Sequence, residues 1–366
     1  MILGGAVPTG PTKRAFDGWL LASAGILLFL GLASIYSVDK ARFGGTFFPK
    51  QLLFAAVGAL MLWGFSRINL EFWRRAVNWL YAFNLLALVG VLIIGDEKKG
   101  SLRWIDLGPF QFQPSELTKF IMILTLAAFF ANRQQEIRDW KTFWQSVGLA
   151  ALPMPLLMLQ PHIGATMSVF VIWVSIALYA GVPGWRLGGA VLCVAAMLTS
   201  ILVLPIPAFQ YARERILGKL SPDNQGRSYQ PHQAKLALGN GGLMGRGYTK
   251  GERIKGEHIP EQQNDFILTV LGEEGGLVAT SLILTAFLFF FYRVWLVGFN
   301  TASFYGRLLA AGVLGIFGFH AIVNIGMNIG ITPVIGLWLP FMSYGGTALW
   351  FCMACVGLLL AARSYE

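Results

Sequence analysis

Hydrophobic positions along this chain come in long unbroken blocks rather than in the alternation expected of strands. A spanning helix needs about 20 mostly apolar residues, and about ten blocks approach that length. They are Trp19–Val38, Phe47–Phe65, Ala76–Ile94, Pro114–Phe130, Phe143–Leu159, Ile163–Gly181, Leu187–Pro207, Phe266–Tyr292, Leu308–Asn324 and Gly345–Ala362. Two are irregular. The fifth and sixth are separated only by Gln160-Pro161-His162, and Pro153 and Pro155 are expected to kink the fifth. The eighth carries Glu273, Glu274 and a Gly-Gly pair early, so its lipid-spanning part is expected to begin near Gly276. The pattern predicts an all-α polytopic membrane protein, a single bundle over residues 1–366. One long extracytoplasmic loop, residues 208–264, separates helices 7 and 8.

Composition supports that class. Of 366 residues, 55% are hydrophobic and 13% charged, where a soluble domain carries about 25% charge. The net charge of +10 does not imply nucleic acid, because the cations lie in loops, where topology and anionic membrane lipid account for them. Placing the N-terminus in the cytoplasm gathers most short-loop cations, Arg67, Arg74, Arg75, Arg133 and Arg186 among them, on that side. Both termini are therefore expected in the cytoplasm and the long loop outside. Cys193, Cys352 and Cys355 fall in apolar blocks and read as small buried hydrophobes. Met1–Phe16 lacks the apolar core of a cleavable signal peptide.

Three outward-facing segments are polar. In the first, Gly100–Lys119, Arg103, Trp104 and Gln113 lead to Glu116 and Lys119, which share a helix face. That pair either pins helices together or forms a charged wall of a substrate cavity. The second, Tyr229–Gly276, holds a glycine-rich run over Gly239–Gly247. The run lacks the Gly-Lys-Ser/Thr ending of a nucleotide loop. It reads either as a solvated linker or as a flexible cationic loop, with Lys235 and Arg246 as anion contacts. With so many glycines it is expected to be mobile. His162, His232, His258 and His320 are scattered, without zinc-ligand spacing. Asp265, with Glu261 four residues before it, stands where an apolar block begins. It reads either as a helix N-cap or as a functional carboxylate. The third segment runs from Asn324 through Ser343 and Tyr344 to Gly346.

The stretches GSLRWIDLGPFQFQPSELTK, LALGNGGLMGRGY, HIPEQQNDFILTVLGEEGG and NIGMNIGITPVIGLWLPFMSYGG resemble the SEDS proteins of bacterial envelopes, typified by RodA and FtsW, most of all RodA. The resemblance implies a peptidoglycan glycosyltransferase that polymerises lipid II, an undecaprenyl-pyrophosphate-linked disaccharide-peptide, at the outer face of the cytoplasmic membrane during cell elongation. It implies Asp265 as the general base. A substrate-binding set of Arg103, Trp104, Gln113, Glu116, Lys119, Lys235, Arg246, His258, Glu261, Asn264, Ser343 and Tyr344 follows from it. No cofactor is required, a divalent cation being left open. Partners would be a class B penicillin-binding protein transpeptidase and other cell-elongation proteins. The transpeptidase helix would be seated on the eighth and ninth segments, near Gly312, Gly315 and Gly318. Two departures from the family pattern stand out: Gln160-Pro161-His162 where a carboxylate is usual in third place, and Asn264-Asp265-Phe266 where Thr-Asp-Phe is common. One base and several cations suit a pyrophosphate leaving group, whereas a glycosidase would want a carboxyl pair. A lipid II flippase and a non-catalytic scaffold for the transpeptidase are the alternatives.

Overall fold

The computed structural model describes residues 17–94, 96–98, 101–106, 111–203, 229–256, 259 and 261–364. Its helices are α1 (Gly18–Arg42), α2 (Phe47–Arg67), α3 (Leu70–Ile94), α4 (Pro114–Ala131), α5 (Trp140–Ala151), α6 (Pro153–Leu159), α7 (Ile163–Ala180), α8 (Gly184–Val203), α9 (Tyr229–Gly241), α10 (Glu252–Lys255), α11 (Leu268–Asn300), α12 (Phe304–Asn328) and α13 (Gly346–Ser364). Among the described residues nine spans are long and apolar enough to cross a membrane, α5 and α6 together forming one of them; α8 adds a shorter apolar helix. The chain is a multi-pass membrane protein. The break between α5 and α6 falls at Leu152, where Pro153 opens the next helix without needing a backbone donor.

The bundle is tied at both ends by carboxylates. Asp17 caps α1 by accepting from the Leu20 N–H at 3.0 Å and pairs with Arg293 of α11 at 2.7 Å and with Arg363 of α13. At the other end of α1, Asp39 accepts from the backbone N–H groups of Thr46, Phe47 and Phe48 at 3.0, 3.1 and 2.8 Å. It thereby caps the first turn of α2 from a neighbouring helix. α4 and α13 are the most enclosed helices, buried on nearly all sides, as expected when a helix is apolar all round.

One element departs from an all-helical reading. The polar approach to α4 forms a small antiparallel sheet in the order β1 (Asp96–Lys98), β2 (Ser101–Asp106), β3 (Gln111–Phe112). Trp104 pairs with Asp96, and Ile105 with Phe112. Six residues with aromatic and β-branched side chains suffice for such a ribbon, but they leave no signal against the long helical blocks.

The glycine-rich run requires a larger correction, because it is no free linker. α9 packs Ala234 and Ala237 against Phe266 and Ile259 in a small separate core. The hairpin that follows is docked into a break in α11. At Gly276 the backbone adopts φ 63° and ψ −153°, which only glycine tolerates. The hydrogen bonds lost at that kink are remade with the hairpin. Arg246 and Gly247 donate to the Glu273 and Glu274 carbonyls at 3.0 and 2.9 Å; Leu277 and Val278 donate to the Gly242 and Leu243 carbonyls at 2.9 and 3.3 Å. A Cβ on Gly241 or Gly245 would overlap the carbonyls of Gly272 or Glu274. Gly241 and Gly245 are there for close approach, and that approach orders the run. The loop's N-terminal part, residues 208–228, and Pro260 lie outside the described residues.

Two of the three glycines expected to face a partner helix are corrected as well. Gly312 faces Ile176 and Ile123, and Gly315 faces Ser175, so both lie against α4 and α7 inside the bundle; only Gly318 has open space where a Cβ would go.

Replacing Gly276 with alanine should cost about 1–3 kcal/mol in strain, before any clash with the hairpin. Gly276→Ala should therefore lower the unfolding temperature and open Gly239–Gly247 to protease. Gly239→Ala, where no atom stands within 4 Å of a Cβ, should do neither.

Candidate active site

Asp265 does not cap α11. The helix begins at Leu268 with Ile267 at its cap position, and Asp265 lies in the tight turn 261–267 before it. Glu261 starts that turn at φ 55°, and its carbonyl accepts from the Asn264 and Asp265 N–H groups at 3.0 and 3.2 Å. Its carboxylate accepts from Asn264 Nδ2 at 2.6 Å. Gln262 Nε2 donates to Thr269 Oγ1 at 2.9 Å and so ties the turn to the first helical residues.

Two other elements hold this turn. From α12, Asn324 and Asn328 donate side-chain N–H groups to the Asp265 carbonyl at 2.9 and 3.2 Å. From the segment before α13, the Ser343 hydroxyl donates to the Asn264 carbonyl at 2.6 Å and accepts from the Leu339 N–H at 2.8 Å. The Tyr344 N–H donates to the Gln263 carbonyl at 2.9 Å. The Tyr344 ring packs edge-on to Phe47 at 4.8 Å, and burial, with a smaller push from Asp39, holds its phenol above the ordinary value.

The segment that carries Ser343 also reaches the buried charges. Glu116 and Lys119 form an ion pair at 2.7 Å with 3% and 1% of their surfaces exposed. The indole of Trp338 donates to the same Glu116 oxygen at 3.1 Å, and Lys119 lies 4.8 Å from the centre of the Trp338 ring. Glu116 Oε2 has no hydrogen-bond partner among the described residues. Glu116 also borders an otherwise apolar cavity of about 260 Å³ lined by Phe65, Trp73, Phe120, Trp350 and Phe351. Behind Trp338 stand His320, 3.2 Å from the Trp338 carbonyl through Nδ1, and Ser168, 3.1 Å from His320 Nε2. The pair is thus part of a buried polar chain that runs, by way of residues 337–343, to the Asp265 turn.

The remaining candidates sit around this core. Gln113 is buried at the cap position of α4, and Trp104 is half-buried on β2. Lys235 is exposed on α9 with its stem laid across Gly330, just beyond Asn328. Arg246 is exposed on the hairpin, its Nε closing the turn onto the Asn240 carbonyl at 3.0 Å. The side chain of Arg103 and all of His258 lie outside the described residues. Among the described residues no three His, Cys, Asp or Glu side chains gather as metal ligands. Sequence reasoning gave no role to Asn324, Asn328, Trp338 or His320. The signal was available: polar side chains inside apolar blocks are costly and mark pathways or partners.

Lys119→Met should strand the Glu116 carboxylate and cost about 3–5 kcal/mol, as breaking a buried pair does. Glu116→Gln with Lys119→Met removes both charges and should unfold at a higher temperature than Lys119→Met alone. A double variant no better than that single one would mean the two charges do not compensate each other.

Residues 15–366 match the FtsW/RodA/SpoVE family, described as a cell cycle protein. The chain is 32% identical to the probable peptidoglycan glycosyltransferase FtsW of Coxiella burnetii, over 94% of this chain and 95% of that one. It is 33% identical to the peptidoglycan glycosyltransferase MrdB of Escherichia coli K12, over 97% of each. Among solved structures it superposes with a TM-score of 0.80, at 28% identity over 95% of this chain and 98% of the other, on a chain from a study of how a peptidoglycan synthase complex coordinates polymerization and crosslinking.

Proposed function

Because the chain belongs to the FtsW/RodA/SpoVE family, the SEDS proteins, we propose that it is a peptidoglycan glycosyltransferase that polymerises lipid II at the outer face of the cytoplasmic membrane, with Asp265 as the general base. Both termini would then be cytoplasmic. Of the family's roles, cell elongation is our assignment. The observation that carries the catalytic reading is the mounting of Asp265: a carboxylate on a short turn held by α12 and by the segment before α13 at one end of the bundle.

In this mechanism Asp265 takes the proton from the acceptor sugar hydroxyl as its oxygen attacks the anomeric carbon of the donor. The bond from that carbon to the pyrophosphate oxygen breaks, the configuration inverts, and undecaprenyl pyrophosphate leaves with the electron pair. No second carboxylic acid is needed, since the leaving group is stable as an anion; cations are needed instead. Lys235, lying over the Gly330 turn, and Arg246, on the hairpin, are the exposed cations that we assign to that task, with the Glu116–Lys119 pair as a charged wall of the substrate cavity. Asn264 and Glu261 would bind sugar hydroxyls beside the base. A class B penicillin-binding protein transpeptidase is the expected partner, crosslinking strands as they emerge. With Gly312 and Gly315 packed against α4 and α7, Gly318 is the position left open to its helix.

Asp265→Asn keeps the shape and the backbone contacts but removes the proton acceptor. Polymerisation of labelled lipid II by the purified protein should fall at least about a hundredfold, within the usual worth of general-base catalysis. Unfolding temperature and lipid II binding should not change. Full activity in that variant would overturn the assignment. Loss of folding with an active surviving fraction would make Asp265 a structural residue and Glu261 the next candidate.

A further inference from the structure

The direction of a side chain from the main chain is set by the two peptide planes that flank its Cα, and both planes at Asp265 are tied. The preceding plane is held on one edge by Ser343, which donates to the Asn264 carbonyl at 2.6 Å. Its other edge is the Asp265 N–H, 3.2 Å from the Glu261 carbonyl. The following plane carries the Asp265 carbonyl, which receives the carboxamides of Asn324 at 2.9 Å and Asn328 at 3.2 Å.

These two contacts are not equivalent. The Asn328 amide also serves the main-chain carbonyl of Asn324 at 2.8 Å and Asn324 Oδ1 at 3.2 Å. Its grip on the turn is one of three. Asn324 has two N–H groups and uses both on carbonyls from different elements: Asp265 at 2.9 Å and Leu337 at 2.6 Å. It has no exposed surface. Asn324 is therefore the side chain where α12, the Asp265 turn and the segment bearing Trp338 meet. An ordinary role is available to any buried carboxamide, namely satisfying carbonyls that would otherwise cost stability. What exceeds that role is the carbonyl chosen: it belongs to the residue whose carboxylate must meet an acceptor hydroxyl within hydrogen-bond reach.

We propose that Asn324 is a positioning residue for Asp265, holding the peptide plane that aims its carboxylate at the acceptor hydroxyl of the growing glycan or incoming lipid II. The proposal rests on the reading of Asp265 as the base. Asn324 touches no reacting atom, so its effect must pass through Asp265 and vanish when the base is absent. Displacing a catalytic group by about 1 Å can cost a hundredfold. Because the substrate is bound by other groups, the loss should fall on turnover and not on binding.

The test is a double-mutant cycle on the purified full chain, read by single-turnover polymerisation of labelled lipid II. Asn324→Leu should slow the step by about tenfold to a hundredfold and leave KM for lipid II within about twofold. Combined with Asp265→Asn it should cost nothing beyond Asp265→Asn alone. Should Asn324→Leu fail to fold, Asn324→Ser keeps a polar group in the buried site yet cannot reach two carbonyls at once, and carries the same expectation. Asn328→Ala, which removes the weaker contact to the same carbonyl, should give a smaller loss with the same dependence on Asp265. An equal loss in both backgrounds would make Asn324 merely structural and overturn the proposal, as would a wild-type rate in the Asn324 variants. The two readings fail separately. A fully active Asp265→Asn removes the base assignment itself, whereas an inactive Asp265→Asn beside unaffected Asn324 variants removes only the positioning role.

Discussion

One end of this protein depends on an exchange of main-chain hydrogen bonds between a broken helix and a glycine hairpin. A helix interrupted at Gly276 leaves donors and acceptors that cost about 1–3 kcal/mol apiece if buried without partners. The hairpin meets Glu273 and Glu274 with its N–H groups, and Leu277 and Val278 with its carbonyls, so the kink is satisfied without water. Only bare backbone can come that close, as the overlaps at Gly241 and Gly245 show. The consequence runs both ways. The hairpin is ordered by the kink, and the first turns of α11, from Leu268 to Gly275, are held at an angle that the rest of the helix does not share. The Asp265 turn leads directly into those first turns, so the splice helps to set its placement alongside the bonds from Asn324, Asn328, Ser343 and Tyr344.

A second constraint comes from the non-helical segment 329–345. Irregular backbone inside a membrane bundle persists only where protein groups satisfy it. Here side chains do so residue by residue: Asn324 for the Leu337 carbonyl, Ser343 for the Leu339 N–H, and Gln51 for the Ser343 carbonyl and the Gly345 N–H. This is why so many amides and hydroxyls stand in apolar helices. The same segment carries Trp338 to the Glu116–Lys119 pair. An ion pair this enclosed seldom adds net stability over well-packed hydrophobes; it does tie Trp338 to α4.

Much of the fold could be read from the run lengths of apolar residues, because a bilayer sets one length and leaves little freedom. The break at Pro153 and the pairing of Glu116 with Lys119 are local in sequence and were legible, whereas near Gly276 the sequence suggested only where the lipid-spanning part of the helix begins and not the kink. The ribbon over residues 96–112 was not, since strands this short carry almost no periodic signal. The docked hairpin was misread for a deeper reason. Glycine confers freedom on a chain in isolation, and it also permits contact at backbone distance; which applies depends on a partner thirty residues away in sequence, near Gly272 and Gly276 in this case. Gly312 and Gly315 were misread likewise, since small residues mark a helix contact without saying whether the neighbour is α7 or another protein. Asp265 was singled out from its motif, but the asparagines that bond to its carbonyl come from α12, and nothing in the sequence ties Asn324 to residue 265.

These arrangements divide the candidate site into two kinds of surface. The carboxylate is mounted on a turn whose backbone is hydrogen-bonded to α12 and to the segment before α13, whereas the cations assigned to the pyrophosphate, Lys235 and Arg246, stand on exposed side chains of α9 and the hairpin. The physical demands on the two differ. Proton transfer to a base requires heavy atoms about 2.6–3.2 Å apart, a tolerance that only rigid support provides. A diffuse dianion is stabilised over longer range and must be released after every transfer, which a flexible point charge such as lysine allows. A rigid acceptor side and a yielding donor side also suit a polymerase in which one product stays while the other departs. In the proposed reaction an acceptor hydroxyl has to be presented to the same carboxylate at each cycle, and the spent lipid pyrophosphate has to leave. The rigid half is the one that the splice at Gly276, Asn324 and Ser343 hold in place, and it is there that small changes far from the reacting atoms should be felt most.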